Sequence, residues 1–175
     1  LKSLANRPIL TCDIETYSLK HVDAGLGSIC FCWDKHSGCA FKIDKSSDSK
    51  NQEVRDLLKE FFINYKGTLI FHNIAFDVTV LIYQLFMKDV LDQEGLLNGL
   101  DIMLKNWEDT KLMTYLCTNS CSGNNLGLKY QAQAYAGNWA QDEISNIDKI
   151  PEEELLRYNL IDGLSTWFVY EKYKD

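Results

Sequence analysis

The sequence lacks the features that mark membrane proteins and secreted proteins. Its longest apolar run, residues 78–87, is too short to cross a bilayer. Its N-terminus lacks the ordered basic, apolar and small-residue regions of a signal peptide. We therefore expect an intracellular protein with no membrane partner that works in the cytoplasm, or in the host cytoplasm if its source is viral.

A zinc-binding pattern and a surplus of positive charge are also missing. None of the six cysteines forms a Cys-x2-Cys unit paired with a second such unit, and the three histidines are scattered, which argues against a structural zinc site. With 18 Lys and Arg against 25 Asp and Glu, the net charge is −7, which argues against a broad electrostatic grip on duplex nucleic acid. Binding through metal ions, aromatic stacking and a few local contacts stays open.

The composition that is present fits one folding unit. A chain of 175 residues that is 46% hydrophobic supports a single domain over residues 1–175 with a substantial core. The first residue is Leu rather than Met, so we expect a domain excised from a longer protein.

Hydrophobic periodicity predicts a mixed α/β sheet covered by helices. The predicted strands cover residues 8–14, 26–33, 39–43 and 68–71. Helices are predicted over residues 52–65, from the His72-Asn73 turn to about Asp89, from Asp109-Thr110 onward, over residues 126–136, and from Pro151 to near the end of the chain. The last helix carries an apolar stripe, formed by Leu156, Leu160, Leu164 and Trp167. Residues 91–107 suit no single period, and no element is predicted there.

The first candidate motif is a pair of carboxylates where the first predicted strand ends. Residues i and i+2 of a strand share a face, so Asp13 and Glu15 stand about 7 Å apart on one side. Two like charges repel there unless positive charge lies between them. Asp92 and Glu94 repeat the spacing in a polar stretch, so a solvated strand end is the alternative reading of the pair.

Two further motifs follow later in the chain. In the stretch FHNIAFD, residues 71–77, Asp77 falls in the first helical turn after a strand, although a solvated aspartate at a helix start is common. Tyr158 and Asp162 lie four residues apart on one face of the last helix. Each spacing arises by chance, but all three motifs in this order, each in its expected structural setting, are far more specific than any one.

Together the motifs resemble Asp-x-Glu, Asn-x3-Asp and Tyr-x3-Asp of the 3′→5′ exonucleases that use four acidic residues, in their tyrosine branch. That family has a fold similar to ribonuclease H, in agreement with the predicted sheet. The runs DIETYSL, DTKLMTYL and LGLKYQAQAYAG resemble the proofreading domain of family A DNA polymerases, and the short second motif is like bacteriophage versions. Residues 91–107 fit no version well, and the thumb, palm and fingers of a polymerase are absent from this chain.

The resemblance implies a metal-dependent hydrolase that releases 5′-monophosphates from 3′ ends. Asp13, Glu15, Asp77 and Asp162 would hold two divalent cations, Mg²⁺ or Mn²⁺, for which an all-oxygen ligand set is suited. Asp13 would serve both cations, Glu15 and Asp162 the one on the nucleophile side, and Asp77 the other. Tyr158 would orient the attacking water together with Glu15. Cations between the carboxylates also explain why Asp13 and Glu15 tolerate each other.

The implied substrate is the 3′ end of single-stranded or frayed DNA. By resemblance, Leu19 packs against the terminal base, Thr16 meets the 3′ hydroxyl, and Asn73 contacts the penultimate sugar-phosphate. Phe76 completes this substrate-binding set. Leu19 as a core residue and Thr16 as a turn hydroxyl are the alternatives. Asp109 is expected behind the carboxylates, as a residue that supports them or as a helix cap.

Two rival interpretations remain open at this stage. A free-standing RNA exonuclease of the ribonuclease D kind has the same carboxylates and the same tyrosine. A catalytically silent module that packs against a polymerase or binds DNA is the second rival, but such a module has no physical need to keep repelling charges. For the exonuclease we expect a polymerase domain as partner, in the same chain or in a partner chain.

Overall fold

The architecture is a five-stranded mixed sheet with helices on both faces. The computed structural model describes residues 1–21, 24–43, 49–118, 124–137 and 147–175. The strands are β1 (Ile9–Thr16), β2 (Leu26–Asp34), β3 (Ser37–Lys42), β4 (Thr68–Phe71) and β5 (Trp107–Asp109). Their order across the sheet is β3-β2-β1-β4-β5. The β1, β2 and β3 strands form an antiparallel meander, while β4 runs parallel to β1 and β5 runs parallel to β4.

Seven α-helices and one 3₁₀ turn over residues 147–149 lie within the described residues. The α-helices are α1 (Ser49–Asn64), α2 (Ile74–Leu85), α3 (Gln93–Met103), α4 (Thr110–Cys117), α5 (Leu128–Gln131), α6 (Gln133–Ala136) and α7 (Glu152–Tyr173). The predicted mixed sheet covered by helices is therefore confirmed. None of the described helices combines the length and the apolar character that a membrane crossing requires.

One face of the sheet carries the aromatic and aliphatic core. Phe31 of β2 meets Phe61 of α1 edge to face, with ring centroids 5.2 Å apart. Tyr65 stacks on Phe61 from just beyond the same helix. Leu10 and Phe71 extend this buried cluster along β1 and β4. Burial of these large side chains gives this face most of the hydrophobic stabilisation of the fold.

The opposite face carries α7, and small or polar side chains form the contact. Gly163 allows the helix to lie against β2, since a Cβ there would stand 2.5 Å from the Cys30 Sγ and 2.9 Å from the Cys32 Sγ. The Thr11 hydroxyl of β1 donates to the Gly163 carbonyl at 2.9 Å. The face of α7 that enters the protein is thus set by close backbone approach.

The predicted apolar stripe of α7 is not its most deeply buried face. Of its members Trp167 is buried, whereas the three leucines are only partly so. The face pressed on the sheet is shifted by one residue and is formed by Leu155, Asn159, Gly163 and Thr166. The reason is the polarity of the sheet on this side, which favours small and hydrogen-bonding residues over leucine.

Several predicted elements differ from the structure, most by one to three residues at an end and three of them by more. The second helix ends at Leu85 rather than near Asp89, because the Asp92 carboxylate draws the chain into a turn, accepting from the Lys88 and Gly95 backbone N–H groups at 2.9 and 2.8 Å. The residues 91–107 contain α3, which no prediction covered, and β5 begins at Trp107 and forms one edge of the sheet. The single helix predicted over residues 126–136 is two short helices, separated at Ala132.

Candidate active site

The β1 strand presents Asp13 and Glu15 on the face that α7 covers. Asp13 lies opposite Cys30 and Glu15 opposite Ser28 in the antiparallel register with β2. The register shifts between Glu15 and Thr16, which is a bulge of the kind that often ends regular pairing beside functional sites. The alternation of the strand therefore delivers both carboxylates to one side of the sheet.

The last helix brings the third motif to the same place. Asp162 joins Asp13 and Glu15 in a cluster whose carboxylate oxygens all lie within 4.8 Å of one another. Tyr158 stands one turn earlier, and its hydroxyl lowers the pKa of the Asp162 carboxylate as a hydrogen-bond donor does. The first and third motifs, far apart in sequence, thus share one site.

The second motif is held beside the first by a hydrogen bond to the β1 backbone. Asp77 lies in the first turn of α2 and is 6% exposed. Its Oδ1 accepts from the backbone N–H of Ile14 at 3.2 Å, and Ile14 is the residue between Asp13 and Glu15. Asp77 is not one of the three clustered carboxylates, but this bond fixes it beside the strand that carries two of them.

Asp109 holds the turn from which α2 begins. Its carboxylate accepts from the backbone N–H groups of Asn73 and Ile74, each at 3.0 Å, and it caps α4 by accepting from Lys111 at 2.8 Å. Asn73 has a φ of 70°, a left-handed conformation that asparagine tolerates better than most residues. One buried carboxylate therefore ties the β4–α2 turn to the β5–α4 turn and supports the position of Asp77.

The site gathers negative charge in a poorly solvated place. Burial, and then the neighbouring carboxylates, raise the pKa of Asp13 well above its ordinary value. Burial raises the pKa of Glu15 and of Asp77 to about 8 each. The pKa of Asp162 rises only to about 6, because the Lys129 ammonium and the bond from Tyr158 oppose the effect of burial. Without a cation the ionised carboxylates would repel one another, so these groups keep their protons to a higher pH than usual.

The predicted substrate residues differ in exposure and in the contacts they make. Leu19 is 85% exposed, so it is not a core residue. The Thr16 hydroxyl donates to the Ser18 carbonyl at 2.9 Å, which is the turn contact of the alternative reading. Phe76 is partly buried and its ring lies 5.1 Å from that of His21. The Asn73 side chain is exposed, and its Oδ1 accepts from the Lys111 ammonium at 3.3 Å.

Two residues that touch the predicted site were missed by sequence reasoning. Asn159 is fully buried and donates from Nδ2 to the Asp13 Oδ2 at 2.7 Å, while its Oδ1 accepts from the Ser28 hydroxyl at 3.0 Å. Lys129 of α5 donates to the Tyr158 hydroxyl at 2.5 Å. No sequence signal pointed to Asn159, because the predicted apolar stripe lay on a neighbouring face of α7. No sequence signal pointed to Lys129, because its place depends on how α5 packs.

The donor chemistry fits hard divalent cations. Asp13, Glu15 and Asp162 offer carboxylate oxygens close enough to share one ion, and Mg²⁺ and Mn²⁺ prefer oxygen ligands. Burial raises the pKa of each of these groups, and a bound cation would offset that effect by balancing their charge. With its mixed sheet and covering helices, the protein has the architecture of a ribonuclease H-like nuclease.

The comparisons with known proteins place the chain in a family. It belongs to the 3′-5′ exonuclease family, whose sequence profile matches residues 1–172. The protein is thus a nuclease that hydrolyses nucleic acid, and its family typically uses divalent metal ions. No curated protein sequence matches the chain.

Solved structures share the fold at low sequence identity. Brucella melitensis NrnC with bound Mg²⁺ is 16% identical, with a TM-score of 0.66 over 97% of this chain and 73% of that one. Escherichia coli RNase D, an exoribonuclease involved in structured RNA processing, is 15% identical, with a TM-score of 0.62 over 99% of this chain and 40% of that one. The RNase domain of yeast Pop2 is 11% identical, with a TM-score of 0.59 over 98% and 79%.

Proposed function

We propose that this exonuclease removes nucleotides one at a time from single-stranded or frayed DNA 3′ ends, as the proofreading activity beside a DNA polymerase domain in the same chain or in a partner chain. The observation that carries the proposal is the meeting of all three motifs at one pole of the sheet, with three carboxylates in a single cluster and Asp77 bonded to the strand between two of them. We place this activity in the cytoplasm, or in the host cytoplasm for a viral source.

Four carboxylates would hold the metal ions in this reaction. Asp13, Glu15 and Asp162 form the cluster, and Asp77 approaches from α2. When bound, two divalent cations would activate a water and stabilise the departing 3′ oxygen. Asn159 holds one oxygen of Asp13 at 2.7 Å, which leaves the other oxygen of that carboxylate to face the cluster.

Tyr158 would orient the attacking water. Its hydroxyl lowers the pKa of Asp162 as a hydrogen-bond donor does, which supports a proton directed at the carboxylate cluster. In the hydrolysis, the water oxygen attacks the terminal phosphorus, the bond to the 3′ oxygen of the preceding nucleotide breaks, and that oxygen takes a proton. Tyr158 and Glu15 would hold the water in line for this displacement, and the product is a 5′-mononucleotide.

The predicted substrate residues would then bind the unpaired end of the strand. Leu19 is an exposed apolar side chain of the kind that packs on a terminal base. Phe76 and Asn73 lie at the start of α2, where a ring and an amide are available to the next nucleotide. Thr16 follows the carboxylate pair at the bulge in β1. A fully paired end would have to fray before it reaches these groups, so we expect paired ends to be cut slowly.

The proposal is tested with single strands that carry a label at one end. We expect a 3′-labelled DNA strand to release labelled mononucleotide at once, and a 5′-labelled strand to shorten in single steps, both only with Mg²⁺ or Mn²⁺. A circular single strand is the control and should stay intact. Internal cuts in the circle, or undiminished cleavage in chelator, would overturn the assignment.

RNA is the second candidate substrate. Two of the similar folds belong to enzymes described as an exoribonuclease and as an RNase domain, and the same carboxylates serve either polymer. The deciding experiment compares DNA and RNA strands of one sequence with free 3′ ends. We expect a higher kcat/KM on DNA; a clear preference for RNA would establish the second candidate and remove the proofreading role.

A further inference from the structure

A lysine lies where none of the three motifs would place one. Lys129 belongs to the one-turn helix α5, which packs against α7. The Tyr173 hydroxyl of α7 donates to the Gln131 Oε1 at 2.9 Å, and the Gln131 amide donates to the Asn125 carbonyl at 2.7 Å. These bonds attach α5 to the last helix, so the position of Lys129 is set by the fold around it.

Lys129 contacts Tyr158 through a hydrogen bond to its hydroxyl and through a cation–π contact with its ring. The ammonium nitrogen lies 2.5 Å from the phenolic oxygen and 4.5 Å from the centre of the ring. A lysine ammonium has only donors, so the tyrosine oxygen must accept this bond. Tyr158 in turn lowers the pKa of Asp162 as a hydrogen-bond donor does, so we take its one proton to be directed at that carboxylate. The three groups therefore form a chain in one direction, from ammonium to phenol to carboxylate.

The charge of the same ammonium also acts on two of the clustered carboxylates. It lowers the pKa of both Glu15 and Asp162 against the effect of burial, as a nearby positive charge does. Lys129 is partly buried, so solvent screens this charge less than it would at an open surface. In a protein whose net charge is −7, this ammonium is a positive charge that partly offsets the negative charge of the carboxylates.

We propose that Lys129 is a positioning residue for the hydrolysis, and that it acts by holding the Tyr158 hydroxyl with its proton directed at Asp162 and the attacking water. Without the ammonium, the phenol rotates about its C–O bond and its proton is no longer confined to one direction. The inference rests on the proposed exonuclease function, because it assigns a role in that reaction. It adds a fourth element, the α5 segment, to a site built from β1, α2 and α7.

A double-mutant cycle tests this directly. At saturating Mg²⁺ on a single-stranded DNA end, Lys129→Met should lower kcat by about 10- to 100-fold, as expected for a hydrogen bond to a charged group, with KM changed by less than about twofold. Tyr158→Phe should lower kcat by roughly 10²–10⁴-fold. The double variant should be no worse than Tyr158→Phe alone, since Lys129 would then have no hydroxyl to hold.

A matched control is available on α7, the helix that carries Tyr158. Lys172 lies 4.8 Å over the Tyr173 ring, far along α7 from the carboxylates, so Lys172→Met removes the same charge from a similar lysine–tyrosine contact. Its kcat should equal that of the wild type. The Lys129→Met protein should also keep the full rise in melting temperature on adding Mg²⁺, because Lys129 is not a ligand. If Lys129→Met folds poorly, Lys129→Gln replaces it with the same expectation.

Failure of this inference differs from failure of the proposed function. Independent losses that multiply in the double variant, or a raised KM with unchanged kcat, would overturn the positioning role, the latter by making Lys129 a substrate contact. An equal loss in Lys172→Met would overturn it too. A wild-type protein without metal-dependent 3′ cleavage would instead refute the proposed function itself.

Discussion

The two faces of the sheet carry different types of side chain. On the side of α1 and α2 the strands present large apolar side chains such as Leu10, Phe31 and Phe71, all fully buried. On the side of α7 the same strands present Thr11, Asp13, Ser28 and other small or polar residues. Adjacent residues of one strand thus belong to two environments.

This difference separates stability from chemistry. The apolar face can fill space without polar partners, whereas polar groups under α7 such as Ser28, Asn159 and Asp13 are joined in a chain of hydrogen bonds. Because α7 has to approach closely, Gly163 and Asn159 occupy its inner face. The protein therefore keeps its repelling carboxylates on the face that contributes less apolar burial.

The largest effect is expected from removing the central carboxylate of the polar face. Asp13→Ala should lower kcat/KM by more than the roughly 10²–10⁴-fold expected for one acid–base group, while the protein still melts cooperatively. Asp92→Ala is a matched control in sequence pattern, since it belongs to the other Asp-x-Glu pair, and it should stay active. Loss of folding in Asp13→Ala would show that the two faces do not divide stability and chemistry.

A substitution on the apolar face should lower stability and leave the activity of the folded protein unchanged. Phe31→Ala removes a fully buried ring that meets Phe61 and Phe62, so we expect about 3–5 kcal/mol lower free energy of unfolding in denaturant titrations. Whatever fraction stays folded should keep its activity per folded molecule. A stable but inactive Phe31→Ala protein would contradict the comparison.

Gly163→Ala probes the contact between the polar face and its helix. The added Cβ would meet the sulfurs of Cys30 and Cys32, and overpacking of this kind costs about 1–3 kcal/mol. Because α7 also carries Asp162, the variant should lose activity as well as stability, unlike Phe31→Ala. Thermal melts and initial rates on one preparation check both; a fully active variant would mean that the helix position is not critical.

The smallest expected effect is on the pH dependence of the metal-free protein. Carboxylates whose pKa rises to about 8, as for Glu15 and Asp77, bind more protons folded than unfolded. Stability in chelator should therefore fall as pH rises from about 5 to 8. The slope should be shallower in Glu15→Gln. His72, whose pKa burial lowers to about 4, gives an opposite slope at acid pH that is the same in both proteins. Equal slopes in the two proteins would contradict the account.

Much of the sheet follows from sequence because its strands are long apolar or alternating runs. The β1, β2 and β4 segments and the helix start at Asp109-Thr110 were predicted, and so was the placement of the first and third motifs near each other. The α3 helix was not, because it leaves leucines such as Leu97 exposed and its period is obscured. The C-terminal end of α2 depends on the turn that Asp92 forms, and local helix propensity does not reveal that turn.

The supporting residues of the site depend on tertiary contacts. Asn159 and Lys129 have no spacing that relates them to Asp13 or Tyr158, and each is placed by the packing of α7 or α5. The apolar stripe of α7 misled for the same reason: hydrophobicity indicates a buried face only where the opposing surface is apolar. Predictions from pattern are therefore strongest for the apolar face and weakest for the polar one.

The most direct test of the carboxylate site is a metal titration followed by thermal melting of wild type and Asp162→Asn. In chelator above about pH 8, where Glu15 and Asp162 are ionised, the variant should melt no lower than wild type, because removing one charge relieves the repulsion around Asp13 and Glu15. With rising Mg²⁺ or Mn²⁺ the wild-type melting temperature should climb, since an ion that binds only the folded state stabilises it by mass action, and the variant should gain much less. Equal metal-induced shifts in the two proteins would show that Asp162 is not a ligand, and the three motifs would not form one metal site.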